Sequence, residues 1–186
     1  MHPIRIPALA ALFAALACGD PNELPDPQNE NVIDTVTISA LTGTPIRLPS
    51  AYSISDRAPV RTDLSAQFDF AFDMIPPGNV AALLPRAALG FPADGAQQPG
   101  LQETDDAFAE IREALLNGYV TSDTIPVAVG ERYLARSRVI CSSLGVPLYA
   151  KLEVLAIDAV ARTVTFQVLV DENCGYIGLE PGLPEN

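Results

Sequence analysis

Two alternating runs joined by a short connection, residues 148–170, constrain this chain more than any other part of it. Leu148, Ala150, Leu152, Val154 and Ala156 alternate with Tyr149, Lys151, Glu153, Leu155 and Ile157, the period-2 pattern of a half-buried strand. After residues 158–162, Val164, Phe166, Val168 and Val170 alternate with Thr163, Thr165, Gln167 and Leu169. Setting Ile157 opposite Thr163 puts Val154 against Phe166, Leu152 against Val168 and Ala150 against Val170. A slip by one residue would turn every one of these side chains to the wrong face. A β-hairpin is predicted.

The rest of the chain reads as more of the same. Its 17 prolines and 12 glycines call for many short elements and frequent turns. Strands are predicted at 32–41, 46–48, 52–55, 60–62, 68–74, 80–84 and 132–140. Residues 68–74 place Phe68, Phe70, Phe72 and Met74 on one face and Asp69, Ala71 and Asp73 on the other. One short helix is predicted after a Thr104 cap: Asp105 and Asp106 sit in its first turn, Phe108, Ile111 and Leu115 form its apolar stripe, and Asn117-Gly118 ends it. The expected fold is mainly β, an antiparallel sandwich or barrel with that single α-helix, occupying residues 32–186 as one domain.

The N-terminus reads differently. Residues 1–18 carry Arg5 and then an apolar run too short for a permanent membrane span, as in a cleaved export signal. Their ending, "ALAC", resembles the lipobox of bacterial lipoproteins, in which a cysteine is lipidated and becomes the mature N-terminus. That residue is Cys18. Ala15-Leu16-Ala17 also suits ordinary signal peptidase, so both processing routes stay open. Residues 19–31 hold three prolines, four acids and a single large apolar residue, Leu24. They are expected to be a disordered tether.

With Cys18 assigned, Cys141 and Cys174 are the remaining pair, one on each side of the hairpin. An exported chain meets an oxidising environment, so a structural disulfide is expected; the spacing is not that of a redox-active CxxC. The formal net charge of −12 repels phosphate backbones and excludes nucleic acid as a partner. It also disfavours adhesion to anionic lipid. The only histidine is His2, which removes Ser-His and Cys-His catalysis and histidine-bound metal from the exported chain.

Three groups of charges stand out. Asp69 and Asp73 lie about 13 Å apart on one strand face at ~3.3 Å per residue. They are expected to be solvated, the alternative being a calcium site with Asp63 or the acids at 105 and 106. Arg132, Arg136 and Arg138 share a strand face. They form either an anion-binding ridge or a set of cross-strand ion pairs, with Glu153 the first partner. Lys151, the only lysine, is expected at the surface beside Glu153. No metal or catalytic set is assigned.

"FDFAFDM", "RYLARS" and "YAKLEVLAID" with "RTVTFQV" together resemble strands of the HmuY-like haemophore lipoproteins of Gram-negative bacteria. The resemblance implies a compact all-β lipoprotein fold. Haem-binding members ligate iron through histidine, which this chain lacks beyond residue 18, so Met74 or a tyrosine would have to substitute. No cofactor is expected. The functional expectation is a non-enzymatic, lipid-anchored protein of the outer membrane that binds a ligand or protein partner. The alternatives are a carboxylate-dependent envelope hydrolase and a purely structural or assembly lipoprotein.

Overall fold

The computed structural model describes residues 24–91 and 97–185. Ten strands, numbered along the chain, form two antiparallel sheets. The larger runs β1-β10-β9-β8-β6, from β1 (Ile33–Ser39), β6 (Gly100–Thr104), β8 (Arg132–Cys141), β9 (Val146–Asp158) and β10 (Thr163–Asp171). The smaller runs β3-β2-β4-β5-β7, from β2 (Ala51–Ser53), β3 (Ala58–Val60), β4 (Phe70–Ile75), β5 (Val80–Pro85) and β7 (Ile125–Pro126). Of the predicted sandwich or barrel, two open sheets consistent with a sandwich form. Its core fills the space between the sheets, where Phe70, Phe72 and Met74 of β4 meet Leu152, Val154, Phe166 and Val168 of the hairpin. Tyr52 packs edge-on against Phe166 with ring centroids 5.5 Å apart.

The hairpin register follows the alternation over most of its length: Phe166 pairs with Val154, Val168 with Leu152 and Val170 with Ala150. Near the turn it shifts, and Ile157 faces Val164 where the pattern predicted Thr163. The Asp158 carboxylate accepts the backbone N–H groups of Val160 and Ala161, both at 2.8 Å. This side-chain turn closes the hairpin on the Asp158–Thr163 pair. Leu155, left unpaired and 42 % exposed, absorbs the extra residue as a bulge.

The predicted helix is absent. Among the described residues the only helical element is a four-residue 3-10 turn, Arg86–Leu89. Residues 105–119 instead cross the outer face of the larger sheet as an irregular strap. A single turn starts at Ala107, whose carbonyl accepts from Glu110 and Ile111. The backbone is then claimed by other partners: Ala114 donates to Ile177, and Arg112 accepts from Leu179. Glu113 forms an isolated bridge with Gly178. Phe108, Ile111 and Ala114 are buried while Leu115 is exposed. The helical spacing is met by a different backbone, because tertiary partners outbid local propensity.

Gly100 opens β6, a strand absent from those predicted. A Cβ there would lie 2.7 Å from the Val120 carbonyl, so only glycine permits the Leu101–Val120 bridge that covers this sheet edge. The expected tether is also different from residue 24 onward. Residues 24–31 have no regular structure but are fastened to the C-terminal segment, with Asn31 almost fully buried. The folded unit therefore begins before Val32.

Candidate functional site

The larger sheet is covered on its inner face and, over part of β8, β9 and β10, on its outer face too, where the side chains with unusual chemistry collect. Leu134, Tyr149 and Leu169 point outward from β8, β9 and β10 and pack beneath Phe108, Ile111, Ala114 and Leu179. Lys151 lies among them, 2 % exposed, where the sequence reading placed it at the surface. Its ammonium donates to the carbonyls of Phe108 at 2.9 Å and Ile111 at 2.8 Å, and sits 4.7 Å from the centroid of the Phe108 ring. In a helix those two carbonyls would accept from the next turn. Here the lysine takes them instead. Burial holds its amine below the usual range, opposed only by the field of Glu180.

Arg132 and Arg136 share this face, as alternation requires, but neither has a carboxylate partner among the described residues. Arg136 donates to the carbonyls of Gln98 at 3.0 Å and Leu116 at 3.4 Å, and stacks 4.7 Å from the Tyr119 ring centroid. Arg132 donates to Gly130 and Asp105 carbonyls. Glu153 is opposite Arg132 in register yet accepts from Gln167. The strap thus rests on three cations, each of which donates to at least one of its carbonyls.

Arg138 leaves the row. The register breaks between Arg136 and Val139, and Arg138 turns toward the smaller sheet. Its Nε lies 3.0 Å from Asp69 Oδ1, both side chains nearly fully buried, and it also reaches Gln67, Ser53 and Ser55. Asp69 further accepts from the backbone N–H groups of Arg138 and Ile54. Burial pushes its carboxyl up, against the pull of Arg138 and these donors. Asp73 is buried too, accepting from the N–H and hydroxyl of Thr42 and from its own strand's Met74. The expected solvated acidic face is therefore corrected: both aspartates fasten the fold. Neither is open to a substrate or a cation. No group of three or more metal-binding side chains occurs among the described residues, and Met74 is enclosed in the core.

Where the strap meets the C-terminal segment, a surface groove of about 490 Å³ is lined by Arg112, Glu113, Glu180, Pro181, Leu183 and Glu185, among others. It combines charges of both signs with exposed aliphatic surface. Comparison with known proteins comes up empty: no family, curated protein or solved structure matches this chain. Cys141 and Cys174 form the expected disulfide, with Cα atoms 5.6 Å apart. Cys18 lies outside the described residues, and none of the described helices is long and apolar enough to cross a membrane.

Sequence reasoning missed Lys151 and Tyr119. A signal was available: Leu134, Tyr149 and Leu169 are large apolar residues on the supposed solvent face of adjacent strands. A lysine among them, with a long apolar stem, suits a covered face.

Proposed function

We propose that this chain is an exported lipoprotein of the bacterial outer membrane, anchored through Cys18, whose folded domain binds a protein partner without catalysing a reaction. The anchor rests on the "ALAC" ending of the signal-like segment. The groove between strap and C-terminal segment carries the binding reading. Leu183 is 53 % exposed there, beside Arg112 and Glu180 with 3.6 Å between their charged atoms and both largely solvent-accessible. An exposed apolar side chain sharing a groove with solvent-accessible charges of both signs suits a polypeptide segment. The commitment of Asp69 and Asp73 to structure supports the non-catalytic half.

The hydrolase alternative draws on one observation, the three glutamates Glu113, Glu180 and Glu185 lining the same groove. The structural or assembly alternative would leave the groove empty. A photo-cross-linking residue placed at Leu183 in the native membrane separates these. Binding predicts one discrete protein adduct, weakened by Arg112→Glu and absent when the probe sits at Val160. No adduct, or the same adducts from both positions, contradicts it. Release of the domain from the membrane by Cys18→Ser, with acyl chains in the intact mass of the native protein, is expected for the anchor.

A further inference from the structure

Residues 24–31 are laid along the domain, and this fixes where the chain leaves it. Leu24 packs on Gly175, where an added Cβ would come within 2.6 Å of Leu24 Cδ2 and 3.4 Å of Leu144 Cδ1. The Tyr176 hydroxyl donates to the Pro25 carbonyl at 3.0 Å. Asn173, itself buried, accepts from the backbone of Gln28 and Asn29 at 2.8 and 3.0 Å and donates back to the Asn29 carbonyl at 2.8 Å. Asn31 exchanges backbone hydrogen bonds with Gly182. The chain is therefore held from Leu24 onward. It is held at the pole of the sandwich where the β8–β9 turn meets residues 172–175, joined by the Cys141–Cys174 bond.

The hairpin tip, with Val160 96 % exposed, is the opposite pole. The two are separated by the length of β9, 13 residues, or about 40 Å at strand rise. Six peptide steps separate Cys18 from Leu24, a reach of at most about 22 Å even fully extended. With a lipid on Cys18, the Val160 pole cannot be the one that touches the membrane, because Leu24 would then be too far from the bilayer. The pole at Leu24 also suits a lipid surface chemically. Residues 139–146 carry no charged side chain in a chain of net charge −12, and they expose Leu144 at 48 % and Ile140 at 38 %. Asp26 and Glu172 border this turn, so the contact is with a zwitterionic surface and not an anionic one.

We propose that the pole formed by Leu24 and the 142–145 turn rests on the headgroup layer of the bilayer, with the Val160 hairpin pointing away from it. This rests on the lipidation of Cys18. The chain has no tryptophan, so a single introduced one reports position without background. Ser143→Trp and Val160→Trp, both at exposed turn positions, would be prepared as full-length acylated protein in phosphatidylcholine vesicles carrying a nitroxide on the headgroup. Expected is a loss of about half the emission of Ser143→Trp with Val160→Trp unchanged, since an interfacial contact lies within about 10 Å of the headgroups. Equal quenching at both positions, or stronger quenching at Val160→Trp, overturns the orientation and leaves the anchor standing. Protein that fails to float with vesicles and shows no acyl mass overturns the anchor, and the orientation with it.

Discussion

The inner face of the larger sheet and the covered part of its outer face are buried by different means. The inner face is covered by a second sheet, strand on strand, with aliphatic and aromatic side chains interleaved. It also holds the closed pair of Asp69 and Arg138. The outer face is covered by a strap and a C-terminal segment without regular structure. Carbonyls of the strap are taken up by Lys151, Arg136 and Arg132. A sheet supplies its own backbone partners, whereas an irregular cover must borrow them. Long cationic side chains that pass through an apolar layer can lend them, at the cost of burying charge.

The sharpest way to break the inner face is to leave Arg138 without its partner. Asp69→Asn keeps the volume but strands a buried guanidinium, and a loss of about 3–5 kcal/mol in denaturant unfolding is expected. A loss under about 1 kcal/mol would mean that the serines and Gln67 suffice. Replacing both Cys141 and Cys174 with alanine should cost about 3–4 kcal/mol, the chain-entropy value for a loop of their 33-residue separation. An unchanged midpoint would show that the pole holds together without the bond.

The outer face is tested at Lys151. Lys151→Ala removes a buried stem and leaves the Phe108 and Ile111 carbonyls unsatisfied, with an expected cost of about 2–4 kcal/mol. That cost should also depend on pH. Burial lowers the lysine from its ordinary 10.5, so its contribution is fully present above 10.5 and is lost as pH falls through the folded value. The stability gap between wild type and variant should therefore widen as pH rises toward 10.5. A gap that narrows would reverse the sign of the burial effect. Least in size is Tyr52→Phe. The Tyr52 hydroxyl is buried without a hydrogen-bond partner, and its removal should stabilise the inner core by about 1 kcal/mol. Destabilisation would mean that the hydroxyl is satisfied after all.

The same division governs what the sequence made legible. Strand alternation exposes the inner face directly: Phe70, Phe72, Leu152, Val154, Phe166 and Val168 announce both their strands and their partners. The bulge at Leu155 is invisible to alternation, because it is set by the Asp158 turn. On the outer face the pattern misleads. Phe108 and Ile111 have helical spacing, and nothing local shows that their carbonyls belong to Lys151 or that Ile177 will pair with Ala114. Arg138 departs from its row through a register break, and Asp69 is buried by that same departure. Residues 24–31 look unable to pack because their attachments are made by Asn173 and Tyr176, roughly 150 positions away. The Cys141–Cys174 pair needed only counting.

If the outer cover is a separate layer pinned by Lys151, native-state hydrogen exchange will resolve it from the sheets beneath. In Lys151→Ala, amides such as Ala114 and Leu179, which bond across the strap and C-terminal segment, should exchange through a local opening. Amides of β4 and β5 should keep wild-type rates once the global change in stability is allowed for. If both sets instead exchange through one shared opening, or if the strap amides are as protected as before, the cover is no separate layer and Lys151 does not hold it.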